Sequence, residues 1–264
     1  MRRAARLLAG IGVVLAAACI DITVDSNALG SLQFIPLPYP SVDAGDTLRN
    51  ASDLVEPLQA LAYRADGTAD PDTPVAFVAL DTGLTIDSAR RIVEAKSLPA
   101  TTPSRSIRLI ASVAGLQSPQ RTLLVVPKAD TVVSDPALAL DSILYSLPSL
   151  STDVSHEFKV TIGQKNGTAV RPSPGYIVRY TLKKGTTTIP AGDTLGVYSF
   201  QDASGRISTV DTTDNTGGAS RVLRFRIRQG QALVDTVTVL AEAKRGSRLT
   251  RVISWTVRVR PKTS

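Results

Sequence analysis

The chain has 264 residues, 43% of them hydrophobic and 20% charged, with one each of Cys, His, Trp and Met. An apolar fraction of that size builds a packed core and excludes wholesale disorder, and the length leaves room for two domains of the ordinary ~100 residues. One Cys permits no internal disulfide, one Cys and one His exclude most His/Cys metal cages, and 30 Lys+Arg against 23 Asp+Glu leave a formal charge of +7.

The first six residues are basic through Arg2, Arg3 and Arg6, and Leu7 to Ala18 (LLAGIGVVLAAA) is an apolar run of twelve. A spanning helix needs ~20 apolar residues, so the run reads as the apolar region of an export signal. Ala16 and Ala18 suit a signal peptidase, and Cys19 follows directly. This arrangement resembles the lipobox of bacterial lipoproteins, with Ala16 where that family usually has Leu. The resemblance implies that residues 1–18 are removed and that Cys19 receives the lipid. Acyl chains contribute about 0.8 kcal/mol per buried CH₂, so several on Cys19 tether a chain to a membrane surface. Ordinary cleavage that leaves a spare thiol is the plain alternative. The polar stretch Asp21 to Gly30 then reads as a flexible tether.

Beyond it, short alternating or apolar runs are separated by Gly, Pro, Asp and Asn. Strands are predicted over 32–36, 58–63, 75–80, 84–87, 92–95, 107–113 and 121–126, the number and spacing of an antiparallel sandwich. A second set is predicted over 142–146, 158–162, 177–182, 197–200, 222–227, 234–241 and 253–259. Period two is plain where Phe225 and Ile227 alternate with Arg224, Arg226 and Arg228, and where Trp255, Val257 and Val259 alternate with Thr256, Arg258 and Arg260. The low aromatic content, 5%, predicts cores filled mostly with Val, Ile, Leu and Ala.

The two sets read as copies. Asp66-Gly67-Thr68-Ala69 recurs as Asn166-Gly167-Thr168-Ala169, and Pro74 recurs as Pro174, both displaced by 100 residues. Asp-Gly and Asn-Gly supply the positive φ of a tight turn, and the proline opens the next strand where no ladder donor is needed. Leu109-Ile110-Ala111 parallels Val239-Leu240-Ala241, the copies close on Pro127 and Pro261, and Ser31-Leu32-Gln33-Phe34 is matched with Ser142-Ile143-Leu144-Tyr145.

In the second copy, residues 159–178 (KVTIGQKNGTAVRPSPGYIV), 212–219 (TTDNTGGA) and 234–243 (VDTVTVLAEA) resemble the bacterial Ig-like domains of invasin- and intimin-type adhesins. The first copy keeps the turn and the strand that follows it. The resemblance implies an all-β chain of two tandem Ig-like antiparallel β-sandwiches, and it transfers an architecture rather than an active site. The expected boundaries are a signal peptide at 1–18, a lipidated N-terminus and tether at 19–30, sandwiches at 31–127 and 137–261, and a linker at 128–136.

Chemistry candidates are few. Leu80-Asp81-Thr82-Gly83 resembles the aspartyl-protease motif, in which two carboxylates share a proton and activate water, but no second copy of the tripeptide occurs. A turn between two strands is the plainer reading. Asp211, Asp214 and Asn215, or Asp66, Asp70 and Asp72, are spaced to offer oxygens to Ca²⁺, a cation that wants six to eight of them, yet Asp and Asn also dominate turns. His156 reads as a surface residue. Arg224, Arg226, Arg228, Arg258 and Arg260 form a candidate basic patch, expected to be split because the two strands fall in opposite sheets. No interleaved aromatics offer nucleic acid a stacking platform.

The expected function is that of a non-catalytic, membrane-anchored cell-envelope lipoprotein, exported and held at the outer membrane, acting as a structural or adhesion-type module. The expected partners are a membrane, reached through lipid on Cys19, and a protein or glycan of the envelope, with no cofactor, no metal and no nucleic acid. A carbohydrate-binding module using Tyr176, Tyr180 and Tyr198, and a hydrolase built on Asp81, are the rival readings.

Overall fold

The computed structural model describes residues 25, 27–134, 140–145, 152–192, 196–226, 234–245 and 249–262, and among them there is no helix. The strands of the first half are β1 (Leu29–Phe34), β2 (Ser41–Asp43), β3 (Ala60–Arg64), β4 (Ala69–Asp70), β5 (Ala76–Ala79), β6 (Leu84–Asp87), β7 (Ile92–Ala95), β8 (Arg105–Val113), β9 (Leu116–Gln117) and β10 (Arg121–Val126). Those of the second are β11 (Thr131–Ser134), β12 (Leu140–Tyr145), β13 (Thr152–Asn166), β14 (Ala169–Pro172), β15 (Ile177–Lys184), β16 (Thr187–Ile189), β17 (Tyr198–Gln201), β18 (Val210–Thr212), β19 (Gly218–Arg226), β20 (Asp235–Arg245) and β21 (Leu249–Pro261). Every run predicted from alternation overlaps one of these strands. Cys19 and the rest of residues 1–24 lie outside the described residues, as do Ile227 and Arg228.

In the first half, β1, β3 and β4 form one sheet, and β2, β10, β8 and β5, with β9 paired to β8, form another. Leu32, Phe34 and Ala62 from the former meet Val42, Ile107, Leu109, Leu123 and Val125 from the latter in one buried cluster. The hairpin of β6 and β7 adds Leu84, Val93 and Ala95 to it. In the second half, β11, β13, β19 and β17, with β14, face a six-stranded sheet of β12, β21, β20, β15 and β16, with β18. Removing a side chain such as Leu223 or Val239 from water stabilises the fold by about 1.5–3 kcal/mol, and both are fully buried.

Both halves share one departure from an all-antiparallel order. A short early strand pairs in parallel with the last strand of its own half, β2 with β10 and β12 with β21. The strand before it pairs antiparallel in the opposite sheet, β1 with β3 and β11 with β13. Topologically, β12 is therefore the counterpart of β2, and the matching of Ser31–Phe34 to Ser142–Tyr145 is corrected: β1 corresponds to β11. The repeated turns do coincide. Gly67 (φ 84°) and Gly167 (φ 62°) occupy the same hairpin position, between β3 and β4 and between β13 and β14.

The stretch read as a linker has structure of its own, and both cores are mostly Val, Ile, Leu and Ala as expected. The stretch 128–136 contains β11, and Ala129 is buried in the second cluster, while Asp130 donates its N–H to Gly163 O and accepts from Lys165 N through Oδ1 (2.8 Å). The connection between the halves is thus packed rather than loose as far as Ser134. Aromatic content is also unevenly spent. Tyr145, Phe158, Tyr176, Tyr180, Tyr198, Phe200, Phe225 and Trp255 all lie in the second cluster, whereas Phe34 and Tyr39 alone are buried in the first. Ring pairs such as Tyr145 with Phe225 (5.2 Å) and Phe158 with Trp255 (5.3 Å) stand at the separations that aromatic packing favours.

Candidate functional site

Strand β20 shows how the site arises. Val237, Val239, Ala241 and Ala243 point inward at every second residue, and the same phase carries Arg245 into the interior at the strand's end, where it is 1% exposed. A buried guanidinium needs a counter-charge and acceptors. Both come from the first half: Nη1 lies 2.8 Å from Asp43 Oδ1, and Nη2 donates to Ser41 O at 3.1 Å. The rings of Tyr39 and Tyr176 flank the guanidinium, with centroids 4.6 and 5.1 Å from Cζ, close enough for cation–π attraction.

Around this pair the two halves exchange further hydrogen bonds. The Tyr176 hydroxyl donates to Asp43 Oδ1 (2.6 Å) and accepts from Ala129 N (3.3 Å). Ile177 N donates to the Tyr39 hydroxyl (2.8 Å), Ser41 Oγ to Gly175 O (3.1 Å), and Ser173 Oγ to Pro127 O (2.8 Å). Burial, with the Asp43 charge beside it, pushes the Tyr176 hydroxyl far above the ordinary tyrosine range, so it stays protonated as a donor. Farther out, Arg171 donates through Nη2 to Pro99 O (2.7 Å) and to Thr102 O. Residues of β2 and the 96–104 loop therefore clasp the near end of the second sandwich.

Beside the junction is a cleft of about 310 Å³ lined by Tyr39, Ala51, Ser52, Ile177, Arg179, Glu242 and Lys244. The charged members belong to the outward phase of the six-stranded sheet. Register places Arg179 opposite Glu242, Lys183 opposite Thr238, Lys244 opposite Thr250 and Arg258 opposite Thr236, while Leu144 stands opposite Arg260. This face thus gathers five cations and one carboxylate, with Ser and Thr between them. The chain's charge is also lopsided: residues 128–264 carry 19 Lys+Arg and 11 Asp+Glu, and residues 19–127 carry 8 and 12.

The predicted basic patch is split as expected. Arg224 and Arg226 lie on β19 in the five-stranded sheet, and Arg258 and Arg260 on β21 in the six-stranded one. Sequence reading missed Arg179, Lys183 and Lys244, which join Arg258 and Arg260 only through pairing between β15, β20 and β21.

Asp81 occupies the turn between β5 and β6, and Arg108 grips it in a fork, Nε to Oδ2 at 3.0 Å and Nη2 to Oδ1 at 2.8 Å, with Arg108 N adding 2.9 Å. These bonds, the guanidinium's first, hold the carboxyl down to about 2. A carboxylate so engaged closes a turn and is unsuited to sharing a proton with a second acid. Because its pKa is depressed by folding, its contribution to stability is present above about pH 4 and is lost as the pH falls toward 2. Asp81→Asn is expected to lower the melting temperature by only a few degrees at pH 7, with the difference from wild type shrinking across that acid range in a pH series of thermal melts.

The calcium candidates are engaged in turns and ion pairs. Asp214 Oδ1 accepts from Thr216 N (2.8 Å), Thr216 Oγ1 (2.7 Å) and Gly218 N (3.0 Å), and Asp211 Oδ2 takes Ser220 N and the buried Arg221 Nη1 (3.0 Å). Asn215 is exposed. Asp66 closes the turn onto Thr68, Asp70 pairs with Arg64 at 3.2 Å, and Asp72 is exposed. Among the described residues no group of three His, Cys, Asp or Glu side chains is placed to hold a metal. His156 is exposed, with its Nδ1 2.7 Å from the buried Asp141. The tyrosine trio proposed for glycans is corrected outright: Tyr176, Tyr180 and Tyr198 are 2%, 2% and 4% exposed. The single Tyr180 hydroxyl proton is shared between Phe158 O (3.1 Å) and Ala219 O (3.0 Å), and Tyr198 donates to Asp235 Oδ2 (3.2 Å). Among the described residues every Phe, Tyr and Trp is buried or half-buried.

No protein-family model and no curated protein matches the sequence. Among solved structures, the Yersinia pseudotuberculosis adhesin InvE aligns with a TM-score of 0.32 and 14% identity, covering 88% of this chain and 61% of that one. Drosophila N-cadherin EC1-4 aligns at 0.31 and 15%, covering 89% and 51%, and domains 4–9 of the surface layer protein SbsC at 0.28 and 13%, covering 89% and 32%. The chain thus spans less than two-thirds of each of these structures.

Proposed function

We propose that the chain is a non-catalytic cell-envelope lipoprotein, exported and held by lipid on Cys19 at the outer membrane, whose two Ig-like sandwiches act together as a structural or adhesion-type interaction module. The observation that supports this most is the junction. Its Asp43–Arg245 pair, 2% and 1% exposed in the side chains, is a buried charged contact between the two halves, which in this reading act as one body. Such a body, set on a short tether, holds an interaction surface at a fixed reach from its anchor. The basic start, the apolar run and Cys19 support the anchor itself. The partner in this reading is a protein or glycan of the envelope.

Metabolic labelling with a clickable fatty acid tests the anchor. Wild type is expected to carry the label and to sediment with membranes, and Cys19→Ala to lose both. Label retained on Cys19→Ala, or none on wild type, would overturn the anchor, and cross-linking in cells then identifies what the module touches.

A further inference from the structure

We infer that the outer face of the six-stranded sheet of the second sandwich is a docking surface for an anionic lipid bilayer. The inference rests on the reading of this chain as membrane-tethered, and it adds a second contact with that membrane. Arg179, Lys183, Lys244, Arg258 and Arg260 face outward from β15, β20 and β21, and among the described residues Glu242 is the one carboxylate in register with them and none of the six forms an ion pair within 4.0 Å. Positive charge gathered on one sheet face, with Arg258 and Arg260 on β21 and Arg179 and Lys244 at the cleft beside the junction, is complementary to a surface of lipid phosphates.

The apolar residues of the same face decide which polyanion fits. Leu140, Leu144 and Val252 point outward there at 52%, 40% and 52% exposure, in register with Thr256, Arg260 and Glu242. Aliphatic side chains gain nothing against a hydrated polysaccharide, but they enter the boundary between headgroups and acyl chains while neighbouring cations meet the phosphates. Nucleic acid is disfavoured because the face carries no aromatic on which bases stack. Acyl chains on Cys19 fix the chain's start to the membrane, and a basic face adds a second contact that orients the sandwich against it.

The test uses the chain from residue 19 with Cys19→Ser, so that neither lipid nor the apolar run contributes. Co-sedimentation is measured with vesicles of phosphatidylcholine alone and with 30% phosphatidylglycerol. Binding to the anionic vesicles only is expected, weakening as salt is raised. Arg258→Glu with Arg260→Glu is expected to weaken it at least tenfold, whereas Lys159→Glu with Lys165→Glu, the same charge change on the opposite sheet, leaves it within about twofold; thermal melts check that both variants remain folded. Equal loss in both double variants, or retention on dextran sulfate beads without vesicle binding, would sink the proposal. Either result leaves the fatty-acid labelling outcome untouched, so failure of this face and failure of the anchor are told apart.

Discussion

Asp43→Leu is expected to be among the most damaging single substitutions in the first sandwich, although its residue sits in a strand of three. Removing the carboxylate leaves Arg245 buried at 1% exposure without its counter-charge and deprives the Tyr176 hydroxyl of its acceptor. Breaking a buried pair from one side costs about 3–5 kcal/mol, which for a chain of this length lowers the melting temperature by roughly 6–20 °C. Arg245→Met should cost somewhat less, because the Tyr176 hydroxyl still serves Asp43. The informative variant is the double, Asp43→Leu with Arg245→Met. It buries no unpaired charge, so it should be more stable than either single, while Tyr176→Phe is left out of the series because it would strip the buried Ala129 N–H of its acceptor. Calorimetry reads both stability and coupling: one cooperative transition in wild type, and separate transitions for the two sandwiches in Asp43→Leu. If the single variants melted within 2 °C of wild type as one transition, the junction would not be what joins the halves.

The junction was half legible. Arg245 stands in phase with Val237, Val239, Ala241 and Ala243, and a charge on the core phase of an apolar strand announces a buried partner. Nothing local names that partner. Asp43 lies 202 residues away in a strand too short for alternation to show, and pairing with β10 in parallel, not pattern, buries it. The same limit explains β4, β9, β16 and β18, each of two or three residues. By contrast β6, β7 and β10 begin and end where Gly, Pro and alternation put them. The tyrosines misled because a tyrosine in an alternating strand reads the same on either face. Tyr180 shares its phase with Val178 and Leu182, and that apolar phase was the available sign that its ring is buried. The basic face was invisible for a different reason: strand order across β15, β20 and β21 assembles it, and strand order is a property of the fold.

Gly217 and Gly167 look alike in sequence, each standing in a turn with Asn before it and Thr beside it, yet replacing them with alanine is expected to give different results. Both have positive φ, 74° at Gly217 and 62° at Gly167. An L-residue pays about 1–2 kcal/mol for the left-handed conformation, and at Gly167 that is the whole cost, since a Cβ there meets nothing within 4 Å. At Gly217 the added Cβ lies 2.4 Å from Ile162 O and 3.2 Å from Pro172 Cβ. Neither neighbour can yield cheaply, because Ile162 O accepts from Ser173 N and Ile162 N donates to Gly217 O, holding β13 against this turn from both directions. Overpacking adds about 1–3 kcal/mol to the backbone strain, so Gly217→Ala should cost about 2–5 kcal/mol and Gly167→Ala about 1–2. Urea unfolding monitored by the fluorescence of Trp255, which packs in the same core against Phe158, measures both. Equal losses would mean that the turn relaxes away from β13, and that the Thr-Asp-x-x-Gly stretch closes a turn without fixing how β19 meets its neighbour.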